Sequence, residues 1–246
     1  MSVRRMILIL AMFAFLLSAA TFSQSAPPTG EGPPETIEEA LLRHHIALTK
    51  ESLVAALRNQ DPEVRQLAAQ KLASNGAIDT IPSMNEALSE ERVPWNRANI
   101  AFALAQLGDK AGMVTLKSIC EDAAMPAFTR IAAVQHLQWL HDDSCLTAVA
   151  EVLQFGEDSG SRIAAISLVS WGHHFSEGDS LRFFDLIVKA LEDPAPGVRI
   201  EASSALGRLG NVSAIPSLQA ALAKEHEMSI RLAIRRALQR LQKRMK

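Results

Sequence analysis

Tyrosine is absent from this chain of 246 residues, and aromatic residues make up 5% of it. β-Sandwiches and barrels draw on aromatic side chains and frequent glycine turns, so this scarcity, with 12 Gly and 11 Pro, argues against an all-β fold. Two cysteines are too few for a disulfide scaffold. An excess of one charge is missing as well. The 25 Lys and Arg face 27 Asp and Glu, a net −2 at pH 7, which gives no general argument for nucleic acid. What the chain has instead is 38 Ala and 30 Leu, the residues that head the helix-propensity scale, within a hydrophobic content of 48% that can bury a core and excludes disorder.

The first 26 residues follow a different pattern. Met1 to Arg5 gives a positive start, Met6 to Leu17 is an apolar run of twelve, and Ser18 to Ala26 is mostly small. This pattern reads as a secretory signal peptide over residues 1–25, with cleavage permitted after Ala20, Ser23 or Ser25. An uncleaved membrane anchor is the alternative, because Met6 to Phe22 reaches the lower limit of a membrane span. Either reading exports the remainder, to the periplasm or out of the cell. Residues 26–34 combine Pro and Gly without apolar periodicity, as a flexible linker does. Thr36 with Glu39 three residues on forms a capping-box pattern and predicts a helix start.

Beyond that point the chain repeats. An arginine recurs before each Ala-rich run, at Arg65, Arg97, Arg130, Arg162, Arg199 and Arg231, with spacings of 32, 33, 32, 37 and 32. The seventh residue after each is Leu72, Leu104, Leu137, Val169, Leu206 and Leu238. The third is Ala68, Ile100, Ala133, Ala165, Ala202 and Ile234. With Leu107, Leu140, Leu209 and Leu241 at the tenth, these rows lie on one face of a helix. The eleventh is Gly76, Gly108 and Gly210, where a left-handed C-terminal cap needs glycine, but His141 and His173 in the third and fourth units. A shorter apolar helix precedes each arginine, and prolines such as Pro62, Pro82, Pro94, Pro126 and Pro216 mark helix starts. Each unit is therefore a helical hairpin that buries its apolar face only by stacking on its neighbours.

Residues 61–88, DPEVRQLAAQKLASNGAIDTIPSMNEAL, and 193–222, DPAPGVRIEASSALGRLGNVSAIPSLQAAL, resemble HEAT repeats of the phycobilisome-lyase-like class. The resemblance implies an all-α fold: a right-handed α-solenoid of about six HEAT-like hairpins over residues 35–246, with repeats near 50–76, 81–108, 112–141, 144–173, 179–210 and 213–244. It speaks for architecture more than for activity. Deoxyhypusine hydroxylase, a HEAT-like enzyme, takes its metal ligands from several His-Glu pairs, whereas this chain has the single pair His226-Glu227. Bilin attachment, which the lyase resemblance would imply, is cytoplasmic or stromal chemistry and conflicts with an export signal.

Three groups of residues are candidates for function. His141, His173 and His174, with Asp142, Asp143, Glu177 and Asp179 nearby, lack the fixed ligand spacing of a metal motif, and no metal or cofactor is expected. Trp139 and Trp171 both stand ninth after their arginine, where other units carry Ser74, Gln106, Arg208 and Arg240. With Phe102 they predict a partner-binding patch of Phe102, Trp139, Trp171, Arg208 and Arg240 on the second-helix surface, which by resemblance is concave; alternatively the indoles fill gaps between helices. The last sixteen residues carry Arg231, Arg235, Arg236, Arg240, Lys243, Arg244 and Lys246 with no acid, giving +7. They form either a solvated capping helix or a contact for anionic lipid, polysaccharide or an acidic protein.

The arginine series itself reads as structural, with Asp61, Asp158 and Glu227, each four residues before an arginine, expected to pair with it across or within repeats. Cys120 and Cys145 lie ten and seventeen residues before their arginines, an axial offset of about 10 Å on level helices. That offset predicts two free thiols. With no nucleophile-base pair or phosphate loop, the sequence reads as a non-catalytic scaffold or adaptor for a protein partner in the cell envelope. The alternatives are an enzyme or accessory factor using repeats three and four, or a peripheral envelope component using the basic end.

Overall fold

The computed structural model describes residues 35–156, 158–171 and 176–245. The expected signal peptide and linker, together with His173 and His174, lie outside the described residues. Among the described residues there are thirteen α-helices and no strand: α1 Ile37–Arg43, α2 Lys50–Ala56, α3 Pro62–Ser74, α4 Ile81–Glu90, α5 Pro94–Gln106, α6 Lys110–Glu121, α7 Ala127–Trp139, α8 Leu146–Phe155, α9 Ser159–Trp171, α10 Glu177–Lys189, α11 Pro196–Leu209, α12 Ile215–Lys224 and α13 Met228–Arg244.

Local chemistry sets many of these boundaries. At α1 the Thr36 hydroxyl accepts from the Glu39 amide at 3.2 Å while the Glu39 carboxylate accepts from the Thr36 amide at 2.7 Å, a complete capping box. Asp61 caps α3 by accepting from the Glu63 amide, and Pro62, which has no N–H to leave unpaired, opens the helix. Pro126 is the cap residue of α7 and not its first helical residue. Gly76, Gly108 and Gly210 end α3, α5 and α11 with φ of +67°, +84° and +74°. His141 adopts the same left-handed backbone, φ 62°, at the equivalent place after α7. A side chain there costs on the order of 1–2 kcal/mol that glycine avoids, and the His141 and Asp142 amides close the helix end by donating to the Gln138 and Leu137 carbonyls.

The odd-numbered helices from α3 to α13 stack directly on one another, and α1 lies on the open side of α3. The third and seventh rows meet between them. Ala68, Ile100, Ala133, Ala165 and Ala202 are fully buried, as are Leu72, Leu104, Leu137 and Leu206. Alanine at the third row lets backbones approach, and leucine at the seventh fills the remaining space, each contributing about 2 kcal/mol by burial. Row ten is less uniform: Leu241 is fully buried, whereas Leu209 is 36% exposed. Of the even-numbered helices from α4 to α12, only α8 and α10 pack closely on each other. The second helices therefore form the tightly stacked row, and the array is an α-solenoid with one continuous core.

The cysteines depart from expectation. Cys120, near the end of α6, and Cys145, the cap of α8, form a disulfide with a Cα separation of 6.2 Å. Free thiols followed from helices standing level. Lys117 instead pairs with Asp142, at the same separation of 25 residues as the two cysteines, so the start of α8 lies beside the end of α6 and the offset disappears. A bridge across 25 residues stabilises by about 3 kcal/mol through the unfolded chain. The Cys120→Ala/Cys145→Ala variant should lose that amount in a urea titration, and alkylation of the unfolded, unreduced wild type should add no label.

Candidate functional site

The arginines form a ladder that clamps successive repeats. Arg65 donates from Nε and Nη2 to both carboxylate oxygens of Glu91, at 2.8 and 2.9 Å, and Arg162 does the same to Asp193 at 2.8 and 2.9 Å. Arg199 reaches Glu225 at 2.8 Å. The Nη1 of Arg65, Arg162, Arg199 and Arg231 donates to the backbone carbonyl six residues earlier, on Asn59, Gly156, Asp193 and Glu225. Each paired acid stands six residues before the next arginine of the series. Where Ala124 and Gly156 occupy that place no such clamp forms among the described residues: Arg97 is exposed, and Arg130 uses the Cys120 carbonyl and Glu151 at 2.6 Å. Burial of Glu91 opposes its ionisation, but the Arg65 bond and the Val93 amide hold its pKa below the ordinary glutamate value.

Of the acids expected to pair, Glu227 does so across a repeat boundary, 3.4 Å from Arg199 and not against Arg231, and the two aspartates, Asp61 and Asp158, cap helices. Stability, not chemistry, is what the ladder supplies.

A second feature went unseen in the sequence: a buried polar chain across three repeats. The Asn99 amide donates to Gln66 Oε1 at 2.8 Å and to the Trp95 carbonyl at 3.0 Å, which leaves its oxygen to accept from His136 Nε2 at 3.2 Å. His136 therefore carries its proton on Nε2, and its buried Nδ1 has no hydrogen-bond partner among the described residues. Burial pushes the His136 pKa down to about 3. Its ring stacks on Phe102 at 4.3 Å between centroids, and Trp139 closes the cluster at 5.5 Å from Phe102.

These contacts divide the expected aromatic patch. Phe102 is 4% exposed and cannot meet a partner, because row five turns into the interface with α7. Trp139 is half-buried on Phe102 and His136, the gap-filling role. Trp171, in contrast, is 61% exposed at the end of α9. The Arg208 guanidinium lies 4.6 Å from its ring centroid, close enough for a cation–π contact. Arg208 is itself fixed by Ser170 Oγ at 2.6 Å and by Glu201, which also accepts from Ser167 Oγ at 2.8 Å. An exposed indole is thus held from beneath by a satisfied polar network. Arg240, one repeat further on, is exposed.

Of the expected metal candidates, Asp142 is engaged by Lys117 at 2.8 Å and by Ser144, and Asp179 accepts from Ser176. The ligand atoms that do converge belong to His44, Asp61 and Glu63, within 4.8 Å of one another. Arg43 lies 3.1 Å from His44 Nε2 and 3.5 Å from Glu63, placing a cation where an ion would bind. No sequence spacing flagged this group, since the residues span two helix ends.

A profile of HEAT repeats matches residues 51–137 and 177–239, more than half of the chain. The chain belongs to the HEAT repeat family. The interval between the matched segments contains α8, α9 and His141, the part of the HEAT array where the terminal glycine is replaced. No curated protein matches the sequence. Among solved structures, human deoxyhypusine hydroxylase in complex with glycerol is similar at 20% identity, covering 96% of this chain and 91% of its own, with a TM-score of 0.42. A designed armadillo repeat protein aligns at 17% identity over 78% of this chain and 100% of its own, TM-score 0.47. The CpcE and CpcF complex of phycocyanin lyase from Nostoc sp. PCC7120 aligns at 17% identity over 89% and 99%, TM-score 0.39. These likenesses concern fold and carry nothing about activity.

Proposed function

We propose that this HEAT repeat protein is a non-catalytic interaction scaffold or adaptor of the cell envelope, binding a protein partner on its inner, second-helix surface around Trp171 and Arg240. The observation that carries the reading is Trp171, a large apolar side chain left 61% exposed yet oriented by Arg208. Tryptophan and arginine dominate binding energetics at interfaces, and an indole already fixed in place loses little conformational freedom on binding. Arg208 is mostly covered and satisfied by Glu201 and Ser170, so its role is to position the indole. Export rests on the signal-like residues 1–25 and is supported by the disulfide, since such bonds persist in oxidising compartments.

Trp171→Ala separates binding from folding. Its exposure predicts a stability change within about 0.5 kcal/mol, whereas loss of a central anchor costs about 2 kcal/mol of affinity, roughly thirtyfold. Quantitative capture from an envelope fraction, with wild type and Trp171→Ala at matched concentration, should show a stoichiometric partner that the variant loses. A partner retained by the folded variant would refute the reading.

A further inference from the structure

The outer face of α13, on the side away from α11 and α12, is covered by no described element. Ile230, Ile234, Ala237, Leu238 and Leu241 are buried against the preceding repeat. Met228, Leu232, Arg235, Arg236, Gln239 and Lys243 fall on the opposite side at helical spacing, and all are exposed. Of the other cations of the helix, Arg231 donates to backbone carbonyls, Arg244 lies against Gly210, and Arg240 is exposed beside the proposed protein-binding surface. Glu227, the nearest acid, faces Arg199 at 3.4 Å. Arg235, Arg236 and Lys243 form no ion pair among the described residues.

Two features set this face apart from an ordinary solvated cap. A solvated helix face is polar, yet Met228 is 75% exposed and Leu232 is 46% exposed. Charge is also polarised along the molecule. The last sixteen residues carry +7 in a chain of net −2, leaving −9 on the rest. An anionic plane therefore attracts this end and repels the body, which orients the array end-on.

We infer that the outer face of α13 docks on an anionic lipid surface. Arg235, Arg236 and Lys243 pair with headgroup phosphates while Met228 and Leu232 enter the interface. Acidic protein or polysaccharide would answer the cations alone; a lipid interface takes both kinds of side chain at once. This contact is separate from the protein-binding surface and uses none of its anchors, so the Trp171→Ala variant should bind vesicles as the wild type does.

The full chain is tested by co-sedimentation with phosphatidylcholine vesicles with and without about 30% phosphatidylglycerol. Binding should require the anionic lipid and weaken steeply by about 0.5 M salt. Arg235→Gln, Arg236→Gln and Lys243→Gln should each cost about fivefold, and the triple variant about a hundredfold, with an unchanged helical circular dichroism spectrum. A Leu232→Cys variant, labelled at its new thiol with an environment-sensitive dye, should shift to the blue on the anionic vesicles. Equal binding to neutral vesicles, no binding at low salt by the folded protein, or a folded triple variant that binds like wild type would overturn the inference. Binding without a dye shift would overturn it as well, pointing to a purely electrostatic contact such as an acidic protein offers.

Discussion

Lowering the pH from 7 to 5 should remove about 2 kcal/mol of stability through His136 alone. Burial depresses the His136 pKa to about 3 in the folded chain, against 6.5 for an ordinary histidine. Above pH 6.5 the ring is neutral in both states and stability is unaffected. Below it the unfolded chain takes up a proton that the folded chain refuses, so unfolding is favoured by about 1.4 kcal/mol per pH unit down to about pH 3. The cause is local: Nε2 is committed to Asn99, and a proton on Nδ1 would place a charge in the core without an acceptor. Glu91 and Glu225, whose pKa values are lowered, begin to add their own losses only as pH falls below the ordinary glutamate value of 4.5. The interval from pH 6.5 to 4.5 therefore isolates the histidine from these carboxylates. Urea titrations at pH 7 and 5 should show the loss in wild type and little of it in His136→Phe, which keeps the stack on Phe102 but does not titrate. Equal wild-type stability at the two pH values would refute the buried neutral ring.

The fold was legible where one rule repeats in register. Rows three, seven and eleven each answer a demand that every hairpin makes: close approach, core volume and a left-handed cap. The buried chain of Gln66, Asn99 and His136 was hidden because its members stand first, second and sixth after their arginines and share no row. The fate of the two tryptophans depends on the preceding repeat. Phe102, fifth after Arg97, backs Trp139, whereas the equivalent residue before Trp171 is Gln135, which offers no aromatic face. The ladder acids were legible at six residues before the following arginine; the nearer acids at four drew attention because they sit at helix starts, where they serve as caps. The disulfide was not accessible from counting, since it depends on an axial displacement between neighbouring repeats.

The ladder rule makes its own strong prediction. Glu91→Ala should destabilise the protein by about 3–5 kcal/mol, because it leaves the Arg65 guanidinium, 19% exposed, beside an apolar space. The Glu91 side chain is itself fully covered, and its loss also strips the Val93 amide of its acceptor. Glu151→Ala should cost less, about 1–3 kcal/mol: it leaves the buried Arg130 without a carboxylate, but that carboxylate is 46% exposed, so water can take its place, and Arg130 keeps the Cys120 carbonyl. Arg97→Ala should fall within about 0.5 kcal/mol of wild type, as Ala124 offers it no carboxylate. A double replacement, Arg65→Met with Glu91→Leu, should recover much of the loss, because removing both partners of a buried pair leaves no stranded charge. Chemical denaturation of the four variants ranks them. If Glu91→Ala were as mild as Arg97→Ala, the inter-repeat clamp would be decorative; if the double replacement were as damaging as the single, hydrogen bonding to the Asn59 carbonyl and not the ion pair would hold the first two repeats together.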